Sequence, residues 1–385
     1  MKLVPVADDD PRTVLRAVRQ ALHGAGPALG LGMPGSAPVD VPAGTAVVVT
    51  TSGSTGVPKS VVLSRNALTA SVLATADRIG DGAWLLALPA GYVAGLQVLV
   101  RAIVAGREPA ILSGVFSAQS FTAAALSMAS SDGGAPVPTY TSLVPAQVTR
   151  LLDAAAEDTT VLRALRSFEA ILVGGQALPA AVRERAVDAG VRIVRTYGSS
   201  ETSGGCVYDG VPLRGVRLAV VGGEVRVAGP TLADGYLGRP DLTENAFVVD
   251  DDGTRWYRTG DDGLLEDGVL RIRGRLDNVI VSGGINISLD RVEQIVRTVA
   301  GLGNAVVVGV ADERWGEASV VVVSREEFGA RDEDAVLSAA RTAVEATVGA
   351  HARPSRIVLV GALPTLASGK PDREALRLAL RAPGG

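Results

Sequence analysis

The sequence predicts an α/β protein. It has a large N-terminal domain of mostly parallel sheets covered by helices, a small β-rich subdomain, and a smaller α+β C-terminal domain. Three observations predict it. Short apolar runs alternate with helical patterns between residues 46 and 195, the signature of parallel strands joined by crossover helices. From Gly204 to Arg273 the pattern changes to short strands set among Gly, Pro and Asp. From Leu276 onward about 110 residues mix strands and helices, enough to fold as a unit. The predicted boundaries are therefore 1–275 and 276–385, with the β-rich part at about 204–273.

The elements follow in order. Pro11 to His23 places Val14, Leu15, Val18 and Leu22 on one helical face. Gly24 to Gly44 is rich in Gly and Pro and reads as a surface loop. Ala46 to Val49 is a buried strand, and Asn66 to Ile79 a helix. Strand Ala83 to Leu88, helix Gly95 to Val104, strand Glu108 to Leu112 and helix Phe121 to Met128 come next. Then follow Thr139 to Leu143, helix Pro145 to Ala156, strand Ala170 to Val173, helix Pro179 to Ala189 and strand Arg192 to Arg195. In such a sheet, ligands bind beyond the carboxyl ends of the strands, so the loops after Val49, Leu88, Val173 and Arg195 are expected to share one crevice. Glu224 to Val227 and Val269 to Arg273 are strands of the β-rich part. The last unit reads as helix Leu289 to Val299, strands Ala305 to Val310 and Ser319 to Val323, helix Glu333 to Val348, strand Arg356 to Val360 and a helix near Arg373 to Leu380.

Composition narrows the function. A net charge of −4 and a pI near 5.4 argue against nucleic acid or an anionic membrane held by bulk charge. The uncharged run Trp84 to Val100 contains Pro89, Gly91 and Gly95, so it reads as strand, turn and buried helix and not as a membrane span. One cysteine, Cys206, excludes an intrachain disulfide and fits a reducing, cytoplasmic setting. His23 and His351 are the only histidines, and neither lies in a context suited to a Ser-His-Asp hydrolase or a histidine metal site. Lysine occurs only at Lys2, Lys59 and Lys370, although arginine is abundant. Lysine is a compact charge on a flexible stem, which suits a task needing one mobile cation.

Between the strand ending at Val49 and the helix from Asn66 lies Thr50-Thr51-Ser52-Gly53-Ser54-Thr55-Gly56-Val57-Pro58-Lys59. Gly53 and Gly56 allow backbone N–H groups to approach an anion. The hydroxyls of Thr51, Ser52, Ser54 and Thr55 donate to phosphate oxygens, and Lys59 adds positive charge. The spacing is not that of the common NTPase P-loop. Further motifs follow in order: Tyr197-Gly198-Ser199-Ser200-Glu201-Thr202, Trp256-Tyr257-Arg258-Thr259-Gly260-Asp261, the segment Gly274 to Gly284, and Pro364 to Lys370.

Together these stretches resemble the adenylate-forming superfamily of acyl-CoA synthetases, luciferases and peptide-synthetase adenylation domains. The resemblance covers most of the chain, Thr50 to Lys370, with a shortened N-terminus. It implies ATP, Mg²⁺ and coenzyme A as cosubstrates of a small-molecule carboxylic acid. Glu201 would help hold Mg²⁺, Tyr197 would flank adenine, Gly198 and Ser200 would line the nucleotide, and Asp261 would accept from the ribose hydroxyls. Arg275 would reach ribose or phosphate. Asp277 would be the hinge of a mobile C-terminal domain, and Gly283 and Gly284 would pass the pantetheine arm. Lys370 would close onto the carboxylate and α-phosphate, with Lys59 and Glu201 as its catalytic companions. Gly174, Gly175, Gln176, Ser199, Tyr92 and Gly95 fall on acyl-pocket segments. Two departures stand out. Ile285 replaces a usual glutamate, and Tyr92 stands where many relatives carry histidine, either as a pocket wall or as core.

Leu86 to Gln97 and the phosphate loop resemble, more narrowly, the o-succinylbenzoate–CoA ligases of menaquinone synthesis. Such a substrate has a second carboxylate, for which Arg101 and Arg195 are both candidates. Another acyl-CoA synthetase, a carrier-loading adenylation domain, and a non-catalytic nucleotide-binding relative stay open as alternatives. The oligomeric state is also open, a homodimer being one option.

Overall fold

The computed structural model describes residues 1–6, 10–33, 39–51, 58–128, 130–366 and 369–381. Two large sheets face each other across a shared core. The seven-stranded sheet runs, edge to edge, Val211–Pro212, Gly204–Tyr208, Ile193–Ser199, Ala170–Val173, Thr139–Leu143, Ala83–Leu86 and Ala110–Ile111. Pairing is parallel from Ile193–Ser199 through Ala110–Ile111, as the alternation predicts. Ala170–Val173 and Thr139–Leu143 are buried along their whole length because helices cover both faces. The period of two sorts their side chains. Trp84 and Leu86 join the core shared with the other sheet, while Leu85 and Ala87 pack under helices Ala118–Leu126, Pro145–Glu157 and Thr159–Arg166.

The six-stranded sheet is mixed. Its order is Gly235–Tyr236, Lys59–Ser64, Thr45–Thr51, Ala28–Leu31, Lys2–Pro5 and Val39–Asp40. Only the pairs of Ala28–Leu31 with Thr45–Thr51 and with Lys2–Pro5 are parallel. Thr45–Thr51 turns back antiparallel into Lys59–Ser64, so the hydroxyl-rich stretch joins two strands of a hairpin and not a strand to a helix. The Gly24 to Gly44 stretch is likewise not only a loop. Ala28–Leu31 within it is fully buried against Thr45–Thr51, four residues being too short a run to stand out from its Gly and Pro neighbours. Helix Thr159–Arg166 was also not foreseen; Asp158 caps it by accepting from the Thr160 N–H at 2.7 Å.

Between residues 215 and 275 a five-stranded antiparallel sheet forms from Arg217–Val221, Glu224–Ala228, Arg255–Glu266, Phe247–Val249 and Val269–Arg275. The predicted β-rich stretch is not self-contained. Gly204–Tyr208 extends the seven-stranded sheet, and Gly235–Tyr236 adds an edge to the six-stranded one. The remaining sheet holds Ile285–Ser288, Val279–Ser282, Gly316–Ser324, Val306–Asp312 and Arg356–Val360. Val307, Val321 and Val323 face helices Leu289–Val296 and Glu333–Thr347; Val306, Val308, Val320 and Val322 face Leu376 of helix Arg373–Arg381. Among the described residues, no helix is long and apolar enough to cross a membrane.

Candidate active site

The hairpin places Thr51 opposite Lys59, and the Thr51 hydroxyl donates to the Lys59 carbonyl at 3.3 Å. Ser52, Gly53, Ser54, Thr55 and Gly56 lie outside the described residues. On its other edge Lys59–Ser64 pairs with Gly235–Tyr236, Tyr236 opposite Val61. This register sets the Lys59 ammonium 5.5 Å from the Tyr236 ring centroid, a cation–π contact. The Tyr236 hydroxyl in turn donates to Glu201 Oε1 at 2.8 Å. Burial, then the neighbouring Glu201 charge, push the Tyr236 phenol far above its ordinary value, so it stays a donor.

Glu201 sits in a single 3₁₀ turn, Ser200–Thr202, at the end of strand Ile193–Ser199. The strand runs through Tyr197, Gly198 and Ser199, four residues beyond the expected end at Arg195. The turn is fixed by Thr202, whose hydroxyl accepts from the Ser199 N–H at 2.8 Å and donates to the Gly204 carbonyl at 2.7 Å. Gly198 has a packing reason, since a Cβ there would stand 2.0 Å from the Gly204 carbonyl oxygen. Ser200 opens the turn and Ser199 precedes it, and the Ser199 hydroxyl is buried beside the cavity lined by Tyr197, Tyr257 and Asp261.

Asp261 holds the far wall of that cavity. Its Oδ2 accepts from the Tyr197 hydroxyl at 2.7 Å, and its Oδ1 from Arg275 at 3.2 Å. Burial raises the Asp261 pKa, opposed by these two donors, and the same burial raises that of Tyr197. The rest of the Tyr-Arg-Thr-Gly-Asp stretch lies in strand Arg255–Glu266 and is tied to the neighbouring strand: Arg258 pairs with Glu224 at 2.8 Å and the Thr259 hydroxyl donates to the Val225 carbonyl at 2.7 Å. Arg275 makes a two-pronged pair with Asp277, both contacts 3.0 Å, which raises the arginine's pKa.

Lys370 arrives from the other end of the chain. It lies in a tight loop in which the Gly369 N–H donates to the Leu366 carbonyl at 2.8 Å and Thr365 bridges Pro371. The Gln176 side chain donates to the Gly369 carbonyl at 3.2 Å, and a Cβ on Gly175 would lie 4.0 Å from Lys370 Cε. Lys370 is an exposed residue by surface, although protein atoms around its ammonium group remove part of its solvation. Desolvation therefore lowers its pKa, opposed by the charges of Glu201 and Asp261 and aided by Arg275. That exposure keeps the desolvation effect moderate. Lys59, Glu201, Asp261, Arg275 and Lys370 thus gather in one place. Among the described residues, no cluster of three or more carboxylate, histidine or cysteine groups could cage a metal alone. A larger hollow of about 280 Å³, between Arg12, Arg16 and Pro109, shares no residue with this cluster.

The other expected residues are placed with reasons of their own. Gly95 lets its helix approach a carbonyl, a Cβ there falling 2.2 Å from the Pro89 oxygen; at Gly174 a Cβ would fall 2.3 Å from Thr196 Oγ1. Tyr92 begins helix Val93–Val104 and is half-buried, so it is not core. Gly283 and Gly284, both at positive φ, form the two-residue turn between Val279–Ser282 and Ile285–Ser288. Arg101 is buried, stacked on Trp84 and bonded to the Tyr208 hydroxyl at 3.3 Å; Arg195 pairs with Asp209 at 3.0 Å. Arg101 keeps its Nε buried without a partner, and the Arg195 pair is half-exposed. The sequence reading missed Tyr236 and Tyr257. Tyr236 follows an Asp-Gly pair that reads only as a turn, and its link to Glu201 depends on a strand pairing between distant segments.

Lys59 reaches Glu201 through Tyr236, and Lys370 is within electrostatic reach of Glu201, Asp261 and Arg275. The chain belongs to the AMP-binding enzyme family, which it matches over residues 4–274, with the family's C-terminal domain matched over 291–370. It is 40% identical, over 86% of its length and 83% of the relative's, to a probable 2-succinylbenzoate–CoA ligase of Mycobacterium tuberculosis. It is 32% identical to the Escherichia coli 2-succinylbenzoate–CoA ligase, across 71% of this chain and 57% of that protein. An Escherichia coli MenE structure with bound OSB-AMS superimposes with a TM-score of 0.69 at 27% identity, covering 90% of this chain and 71% of that one.

Proposed function

We propose that the protein is an AMP-forming acid–CoA ligase that converts o-succinylbenzoate to o-succinylbenzoyl-CoA in menaquinone synthesis, in the cytoplasm. The gathering of Lys59, Glu201, Asp261, Arg275 and Lys370 supports the chemistry. The names of the relatives above support the choice of acid. Mg·ATP enters as substrate. Mg²⁺ prefers few protein carboxylates and several phosphate oxygens, which one glutamate already held by Tyr236 suits. Lys59 and the hydroxyl-rich hairpin grip the phosphates. Tyr197 flanks the adenine, Asp261 takes the ribose hydroxyls, and Arg275 reaches ribose or phosphate.

The acid's carboxylate attacks the α-phosphorus, forming acyl-adenylate as pyrophosphate leaves. Lys370 offsets the negative charge that builds between them, which a positioned cation in a partly dehydrated site does well. The C-terminal part then turns about Asp277, withdraws Lys370 and presents the Gly283–Gly284 turn to CoA, whose thiol displaces AMP. A panel of acids with ATP and CoA, read by pyrophosphate release and thioester mass, tests the reading. Turnover confined to a different acid, or none with any, would end it.

Two further outcomes follow. Tyr236→Phe removes the donor on Glu201, and a hydrogen bond to a charged group is worth enough for about a tenfold loss of adenylation rate. The check is pyrophosphate exchange across a Mg²⁺ titration. The second concerns pH. Lys370 acts protonated, and in the free enzyme its pKa lies below the ordinary lysine value of 10.5. The alkaline limb of kcat/KM therefore falls earlier than that value. Bound triphosphate adds negative charge and raises the lysine's pKa again, so the limb of kcat lies at higher pH than that of kcat/KM. In Lys370→Arg any residual activity loses this limb.

A further inference from the structure

We propose that Asp290 is a positioning residue that latches the adenylate-forming arrangement by bridging the two sides of the Asp277 hinge; this rests on the two-step reading above. Asp290 lies in the first turn of helix Leu289–Val296, behind the cap Ser288. Its Oδ2 accepts the backbone N–H of Arg275 at 2.8 Å. Its Oδ1 accepts the Asn278 side-chain amide at 2.7 Å and faces Arg373 at 3.4 Å. One carboxylate thus holds a residue before the hinge, a residue after it, and the start of the helix that follows Lys370.

The surroundings are built for this contact. Gly274 lies at φ +154, and a Cβ on it would come within 2.8 Å of Asp290 Cβ, so the helix seats directly against the strand before the hinge. Arg373 is itself fixed, pairing with Glu293 at 2.8 Å and donating to the Val307 carbonyl at 2.7 Å. Asn278 is held from its other end by Arg377 at 3.2 Å. Asp290, Asn278 and Arg373 therefore move as one body with the C-terminal sheet. The Arg275 N–H belongs to the other side, where the Arg275 guanidinium touches Asp261. Rotation about Asp277 separates the Arg275 N–H from Asp290 while leaving the other two contacts intact. The bond is made only while Lys370 is turned inward, so it favours the first half-reaction over the second.

Asp290→Asn tests this in the full chain, because its amide sets an N–H against the donors that the carboxylate accepts. Adenylation, read by pyrophosphate exchange, is expected to fall by about tenfold or more, as loss of a charge-assisted bond implies. Thioester formation from supplied acyl-adenylate is expected to stay within about twofold of wild type, since no contact of that step is removed. Asp290→Glu, which keeps the charge, recovers part of the loss. Trypsin cleavage after Arg275 in the free protein, a readout needing no substrate, is expected to speed up in Asp290→Asn. Equal loss of both half-reactions, or cleavage unchanged from wild type, overturns the latch. Wild-type protein inactive with every acid, yet cleaved more slowly than Asp290→Asn, would refute the assigned reaction and keep the latch. Should Asp290→Asn fail to fold, Asn278→Ala removes the carboxylate's post-hinge anchor and carries the same comparison.

Discussion

Replacing Lys370 with alanine is expected to abolish adenylate formation while thioester formation from supplied acyl-adenylate persists. The loss should reach about 10²–10³-fold, the usual consequence of removing one positioned group that stabilises transition-state charge. The physical reason lies in where the ammonium group sits. It is crowded by protein, near Glu201 and Asp261, and its loop is pinned by the Gln176 contact to Gly369. A cation so placed opposes charge that develops only as carboxylate and phosphorus join. Once the acyl-adenylate exists, the thiol step has no use for it. Single-turnover measurements of the two steps, each started from its own substrate, make the comparison. Similar damage to both would mean that Lys370 is structural, or that the C-terminal part does not turn between steps.

The second large effect is expected at Glu201. Glu201→Gln keeps the shape, and its amide oxygen can still accept from the Tyr236 hydroxyl, but the negative charge is gone. Mg²⁺ is a hard cation that dehydrates reluctantly and depends on each anionic oxygen offered to it. Adenylation should fall by about 10²-fold or more, with the Mg²⁺ requirement moved to higher concentration, because a charge acting on reacting phosphates has been lost. Thioester formation from supplied adenylate should be little changed. Tyr236→Phe leaves the charge and removes only its support, so its smaller effect separates charge from orientation. A Glu201→Gln protein with wild-type Mg²⁺ dependence would remove Glu201 from metal binding.

Much of this was readable because the informative signals are local. Thr51 to Lys59 announces itself through small hydroxyl residues, glycine and lysine in one stretch. The rarity of lysine singled out Lys59 and Lys370 before any geometry was known, and both stand in the cluster around Glu201. The parallel part of the seven-stranded sheet was legible from alternation, because buried strands and covering helices each leave a periodic pattern. The hairpin at Lys59–Ser64 was not, since six residues before a helix look like its approach. Nor were the partners of Glu201 and Asp290, which come from strands and turns far along the chain.

The order of motifs, the scarcity of lysine and the α/β alternation were determined by the sequence itself, because each depends on neighbours along the chain. Only the tertiary structure decided that Tyr236 bonds to Glu201, that Arg101 stacks on Trp84 inside the core, and that Asp290 joins Arg275 to Asn278. Those facts depend on strand register and on side chains meeting across long separations, where pairing geometry and burial select the partner and local pattern carries no record of the choice.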